Sequence, residues 1–419
     1  MTDELSETRP AADHLAGEIR RIRLAADLSQ SELARRIGYT RNYVSMAERL
    51  GRNLPSRELV DALDRGLHTA GDLRRLWEAA KQEQATLRRE NQSQRAPQLR
   101  DDVVRAGIPA LRRALLACDE PDDGPVRPSH VLEAAVANAT EQRVQARYAQ
   151  LVADLPDLLM ELGRARHMAT DELERGNATE LLILAYRAAD GVAFKYGYSD
   201  LSGQIITAMR LAATEIDRPL LDAAVAYVRT ETFFAAKDLP SAHRSLIRAI
   251  DGIPTSASTR DAAVARGALA MRAAVVSARA GKADEAGDHI ADAYRAAEHT
   301  PEGIYLGTAF GPASVRIHEV AVAQELGDSP TAVQRGTGWH PPRELPAERR
   351  SHFYIDLAPA QVEVGRLEDA FVSLQMAKRV APLHTREHPR VKTALKSLLR
   401  GQRTVSDELA TFAAWADVN

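Results

Sequence analysis

The stretch GRLEDAFVSLQMAKRVAP, Gly365 to Pro382, carries the pattern that decides the fold. A glycine opens it, and Ala370, Leu374 and Ala377 follow at offsets of five, nine and twelve before Pro382 closes it. At those offsets a small residue and a large apolar one share a face of a helix that begins just after a turn. The glycine makes the turn, the alanine lets the new helix approach the preceding one, and the large residue one turn on fills the groove between them. The same offsets recur in GKADEAGDHIADAYRAAE (Gly281, Ala286, Ile290, Ala293) and after Lys237 (Ala242, Leu246, Ala249, Pro254). Fainter copies follow Gly197 (Ser202, Ile206, Met209) and Gly327 (Ala332). These turn residues stand 38–46 residues apart, so the array is irregular. From about residue 130 onward, runs rich in Ala, Leu and Arg are broken at short intervals by Gly, Pro or Asp. Period-two alternation of β-branched residues is missing, and the fold class is all-α.

With 419 residues the chain is long enough for two or three domains. Residues 14–90 read as a compact helical unit and 131–415 as the helical-repeat domain. Between them, 91–130 reads as a linker with a short helix. NQSQRAPQLRDD is polar and holds Pro97, Ile108 to Ala117 is amphipathic, and the three prolines of DEPDDGPVRPS (Asp119 to Ser129) bar helix and central strand. Cys118 is the one cysteine, which excludes an intramolecular disulfide framework and a multi-cysteine metal site and fits the reducing cytoplasm. No apolar run reaches the length of a bilayer span, and the first thirty residues lack a secretory leader's apolar core. Basic charge comes almost wholly from Arg, with seven Lys, which together with the abundant Ala reads as codon bias.

The net charge of −3 is unevenly placed. Residues 20–57 hold nine Arg against Asp27, Glu32 and Glu48, a net of +6, so the remainder sums to −9. Such segregation is what a local nucleic-acid surface requires. Within that basic segment, SELARRIGYTRNYVSMAERLGR (Ser31 to Arg52) shows two short helical runs separated by Gly38, Tyr39 and Thr40. Gly38 can take positive φ at a tight turn, Thr40 suits an N-cap, Ala34 is small where two helices cross, and Val44 faces inward. Ile19, Ile22 and Leu28 supply a helix before the pair; Leu59, Leu63 and Leu67, opened by Pro55, supply one after it.

Over roughly residues 15–80 the chain resembles the phage-repressor-like (XRE) helix-turn-helix family. RxxRLAADLSQSELARRIGYTRNYVSMAE follows its spacing across three helices. The resemblance implies that the second motif helix enters the major groove of double-stranded DNA. By position, Arg41, Asn42 and Met46 would read bases with Tyr43 and Ser45 beside them, and Gln30 would touch phosphate. Thr40, Arg49 and Arg52 complete the expected DNA-binding set, and Arg23 and Glu48 match a pair that bridges two helices. The family often has Gln at positions 41 and 42; Arg favours guanine and Asn adenine, so the target sequence is this chain's own.

The repeats resemble the tetratricopeptide signature, which stacks helix pairs around an inner face. GPVRP, GPASVRIHEVAVAQELGD and LPAERRSHFYIDLA resemble segments of actinobacterial XRE regulators with TPR-like sensor domains. Counting from the turns places Arg187, Lys195, Tyr227, Glu231, Arg272, Arg279, His318, Gln324, His352 and Asp356 near that face. A mixed charged and aromatic lining suits a peptide or polar metabolite, although the same residues could pair with one another. The reading is of a transcription regulator, a homodimer on two half-sites, sensing a small molecule or peptide. The alternative is a DNA-bound scaffold whose repeats recruit a protein. Walker, G-x-S-x-G and H-E-x-x-H motifs are absent, and neither enzymatic activity nor a cofactor is expected. His384 and His388 lie between Pro382 and Pro389 with no acidic or cysteine ligand beside them, so exposed loop histidines without a metal are expected.

Overall fold

The computed structural model describes residues 11–49, 54–254, 260–401 and 406–418, with backbone alone for 84–100. Arg52, expected among the DNA contacts, lies outside the described residues. The chain divides into two compact units, Met1–Ala96 and Pro97–Asn419.

The first unit holds α1 (Ala11–Ala25), α2 (Gln30–Ile37), α3 (Arg41–Ala47), α4 (Arg57–Leu67) and the first turns of α5 (Asp72–Ala117). Leu15 and Ile19, one turn apart on α1, meet Leu33, Ala34 and Val44 of the helix pair and Leu59, Leu63 and Leu67 of α4 in one core. Leu73 and Trp77 close it from α5, and the Trp77 indole donates to the Pro55 carbonyl at 2.8 Å. Asp64 accepts from the backbone N–H groups of Leu73 and Arg74 and so caps α5. Gly66 is where α4 presses on α2: a Cβ there would stand 2.3 Å from a methyl of Ile37.

Residues 91–102 are helical, as part of α5, where a linker was expected. Extending a helix already nucleated costs far less than starting one, so a polar run carrying a proline continues between two anchored ends. Asp101 is not a linker residue either: it is buried, accepting from Tyr196 Oη at 2.9 Å and pairing with Arg386 at 2.6 Å. Val104, Ile108, Leu111 and Ala114 then sink one stripe of α5 into the second unit's core.

After the proline-rich segment the second unit continues with α6 (Ser129–Val144), α7 (Tyr148–Met168), α8 (Glu172–Lys195), α9 (Ser199–Ala213), α10 (Pro219–Ala236) and α11 (Leu239–Asp251). Next come α12 (Arg260–Arg279), α13 (Ala283–Ala297), the strands β1 (Gly303–Tyr305) and β2 (Thr308–Phe310), α14 (Pro312–Glu325) and α15 (Ser329–Gly336). The last are α16 (Ala347–Glu363), α17 (Leu367–Val380), α18 (Pro382–Glu387), α19 (Pro389–Gly401) and α20 (Asp407–Trp415). The class is all-α, with one short antiparallel hairpin that the sequence pattern did not announce.

Each repeat expected from the offsets is a helix pair: α8/α9, α10/α11, α12/α13, α14/α15 and α16/α17. Their turn residues Gly197, Lys237, Gly281, Gly327 and Gly365 all take left-handed backbone, with φ between 56° and 79°. The small residues five positions on (Ser202, Ala242, Ala286, Ala332, Ala370) are buried, as are Ile206, Leu246, Ile290 and Leu374 after them. The hairpin instead interrupts the array between α13 and α14, and its two-residue turn, Leu306-Gly307, has positive φ at both positions.

Candidate DNA-binding face and an inner charged chamber

In the first unit, α2 opens with a reciprocal cap: Ser29 Oγ accepts from the Glu32 N–H, and the Glu32 carboxylate accepts from the Ser29 N–H. Gly38 ends α2 at φ 76°, with nothing within 4 Å of where a Cβ would stand, so backbone conformation alone calls for glycine. Thr40 occupies the N-cap position of α3, yet its side chain makes no cap hydrogen bond, and the residue is exposed. Val44 and Ala47 bury one face of α3. The other side of the helix carries Arg41, Asn42 and Met46, all exposed, with Ser45 half-buried among them, and the exposed Arg49 follows just past the helix end. Tyr43, half exposed, sits edge-on against Tyr39 at 5.7 Å and so braces the turn.

The expected Arg23–Glu48 bridge is present and buried. Arg23 Nε and Nη2 donate to the two Glu48 oxygens at 2.6 and 2.9 Å, and Nη1 donates to the Leu28 carbonyl at 2.7 Å. The pair ties α1 to the end of α3 and fixes the exposed face in direction. Gln30 belongs to this network: its amide donates to Glu48 at 2.9 Å, which couples the start of α2 to the same anchor. Arg41 and Arg49 close no ion pair among the described residues, so their charge is offered outward.

The second collection of chemistry lies inside the second unit. Helices α6, α8, α10, α12 and α16 and the hairpin tip surround a cavity of about 140 Å3. Of the residues expected on an inner face, Arg187, Lys195, Tyr227, Glu231, Arg272 and His352 line it. Arg187 donates to the Gly307 carbonyl at 3.2 Å and to Thr308 Oγ1 at 2.7 Å; Arg143 of α6 also donates to the Gly307 carbonyl. Gly307 is needed there, since a Cβ would fall 2.7 Å from the Arg187 side chain. Arg272 reaches Thr230 and Glu231 at 2.5 and 3.3 Å, and Arg349 donates to Tyr227 Oη at 3.1 Å. Lys195 pairs with Glu348 at 2.6 Å.

Four expected residues stand elsewhere. Arg279 pairs with Glu325 at 2.8 Å, and Asp356 is held by Arg390 at 2.7 Å. His318 is buried with Nδ1 2.9 Å from the Ser314 carbonyl, and Gln324 Oε1 is buried without a hydrogen-bond partner. Arg143, Asp190, Glu348 and Arg349 line the cavity but were missed. Arg143 precedes the first repeat, and Glu348 and Arg349 lie in the first turn of α16, outside the counted positions. The histidines in and just after α18 also differ from expectation: His384 is buried against Ser351 Oγ at 2.8 Å, and His388 lies edge-on to it. Pro382 starts a helix here and does not leave a loop.

Five cations, Arg143, Arg187, Lys195, Arg272 and Arg349, face three carboxylates, Asp190, Glu231 and Glu348. Burial, helped by Glu231, pushes the Asp190 carboxyl well up. Burial works against an ionised Glu348, but Lys195 and Arg143 outweigh it and hold that carboxyl at about 2. Burial and then Arg143 bring the Arg187 guanidinium down to about 10, and Arg143 Nε is buried with no hydrogen-bond partner among the described residues. Beside this chamber a larger cavity of about 580 Å3 shares Tyr227 and the hairpin as a wall. Leu220, Leu221, Val264, Ala268, Ile304 and Leu306 make it largely apolar.

A family model described as a helix-turn-helix domain matches residues 14–77. No curated protein and no solved structure is significantly similar to the chain. The match spans α1 to the start of α5, the whole of the core that carries α3. The first unit is a helix-turn-helix domain of the kind that DNA-binding regulators carry.

Proposed function

We propose that the protein is an XRE-type transcription regulator that binds two half-sites as a homodimer and senses a small acidic molecule through a TPR-like second unit. The observation that carries the sensing role is the surplus of cations, two buried and three half-buried, around the chamber. An uncompensated buried charge is costly, and an incoming carboxylate or phosphate would relieve it through charge-assisted hydrogen bonds. The adjoining apolar cavity suits the body of such a molecule, with its acidic end toward Tyr227 and Arg187. On DNA, Arg41, Asn42 and Met46 read base edges from the exposed face of α3, flanked by Tyr43 and Ser45, while Arg49 and Thr40 reach the backbone. Half-sites recur about every 34 Å along the duplex, so a ligand that shifts two DNA-binding domains by a few ångströms changes their match.

The test passes the low-molecular-weight fraction of a cell extract over the full-length protein, identifies what is retained, and repeats DNA selection from a random pool with and without it. Retention of an acidic compound, lost in Arg187→Met and accompanied by a changed DNA affinity, supports the reading. Retention of a protein and no small molecule would favour the scaffold.

A further inference from the structure

His243 on α11 and the pair Glu285 and His289 on α13 converge at the surface of the second unit, away from the chamber. The Nε2 atoms of His243 and His289 stand 3.3 Å apart, and Glu285 Oε1 is 3.2 Å from His243 Nε2. Glu285 and His289 are one helical turn apart, so their side chains share a face of α13; His243 comes from the preceding helix pair. Hydrogen bonding serves this arrangement badly. The Nε2 of a neutral imidazole carries either a proton or a lone pair, so one N–H on His243 would have to serve both short contacts.

A metal ion takes all three lone pairs at once. Bonds of about 2.0–2.1 Å to nitrogen and 2.0–2.2 Å to oxygen in tetrahedral geometry place neighbouring ligand atoms about 3.3 Å apart, close to the separations of 3.3 and 3.2 Å from His243 Nε2 to His289 and Glu285. The surroundings agree in charge. Asp288, beside His289 on α13, adds a further negative charge near the site. Lys282 Nζ lies 3.0 Å from the second Glu285 oxygen, but its side chain is largely exposed and can turn to solvent. The other histidine group, His352, His384 and His388, has the opposite environment: Lys195, Arg349 and Arg390 surround it, and Arg390 holds Asp356. That positive field opposes a cation.

We propose that His243, Glu285 and His289 form a binding site for a divalent transition-metal ion of borderline softness, best matched by Zn2+, with a fourth position open to water. The ion clamps α11 to α13 and thereby locks two successive helix pairs together.

The experiment uses the full-length protein stripped of metal and titrated with Zn2+ against a chromophoric chelator, with Co2+ as a spectroscopic substitute. One equivalent binds, and Co2+ gives the intense visible bands of a low-coordinate site. His289→Ala and Glu285→Gln each weaken Zn2+ by at least about tenfold, while His352→Asn leaves it unchanged. All three ligand residues are partly exposed, so these variants keep their helical circular dichroism. Wild-type binding no tighter than that of a His243→Ala/His289→Ala double variant overturns the proposal. So does a loss that follows His352→Asn instead of His289→Ala.

Discussion

Tyr227 reports the charge of the chamber, and changing it to Phe tests the account quantitatively. Its ring is buried, Arg349 donates to its oxygen at 3.1 Å, and the guanidinium groups of Arg187 and Arg272 stand 5.4 and 4.9 Å from the ring centre. Burial alone would raise the phenol, but Arg349 and Arg272, with Arg187 behind them, bring it down to about 8. Against an ordinary value of about 10, that difference corresponds to about 3 kcal/mol. The sign follows from which form the fold prefers. The folded state favours the phenolate, so this contribution is absent below about pH 8, grows as pH rises, and is complete near pH 10. Near-ultraviolet titration of tyrosinate in the folded protein should show one early phase that Tyr227→Phe removes. Burial displaces Tyr148, Tyr186, Tyr196, Tyr294 and Tyr354 upward, which separates them from that phase. Denaturant unfolding in pH steps should give wild type an advantage over Tyr227→Phe that widens by about 3 kcal/mol between pH 8 and 10. An acidic ligand in the chamber should move the early phase upward. No phenol titrating below about pH 9, or a phase that survives in Tyr227→Phe, refutes the claim of surplus positive charge.

Arg41→Ala should cost about 1–3 kcal/mol on the selected DNA sequence and little on random duplex, read by titration of both across a salt series. Gly66→Ala should destabilise the first unit: overpacking against Ile37 costs about 1–3 kcal/mol and improved helix propensity returns about 1. Ile37→Ala in the same chain should absorb part of that loss, since it removes the methyl that the new Cβ meets, and thermal unfolding of the double variant reads the coupling. A fragment beginning at residue 97 should sediment as a dimer and residues 1–96 as a monomer. The reverse would put the self-association in the first unit.

The sequence carried the fold where one residue type answers one local demand. Left-handed turns at Gly197, Gly281, Gly327 and Gly365 could be read because glycine suits them, and the buried small residue five positions later followed from helix packing. Lys237 takes the same backbone conformation and was found by its neighbours' offsets alone. The exposed face of α3 was legible because Val44 and Ala47 fix which side is buried. The chamber was legible in half. Six residues on the counted helices were found, while Asp190, Glu348 and Arg349 on those same helices were not; Arg143 and Gly307 meet across 164 positions, and no local pattern encodes that contact. The hairpin escaped because three-residue strands are too short for alternation to register. The His243, Glu285 and His289 group was also missed: Glu285 and His289 are visible as a helical i, i+4 pair, but their third member is 42 residues before Glu285.

The two units use arginine in opposite ways, and that contrast bears on how they divide the work. At the two ends of α3 the side chains of Arg41 and Arg49 are exposed, without carboxylate partners among the described residues, where salt screens them and a phosphate or guanine edge can replace water at little cost. In the chamber the guanidinium groups are buried or half-buried, hydrogen-bonded to a hairpin carbonyl, a hydroxyl and a phenol, and held in fixed directions. Exposed arginines favour rapid, salt-sensitive encounter with a long polyanion, and the same residues could not discriminate one small anion from another. Buried arginines favour selectivity, because a ligand that leaves any of their donors unmet gives up the hydrogen bond and the desolvation already incurred. The Gly307 carbonyl is the joint between these demands within the second unit. It accepts from Arg143 and Arg187 together, so a ligand that drew either guanidinium away would loosen one of the contacts that hold the hairpin walling the larger cavity.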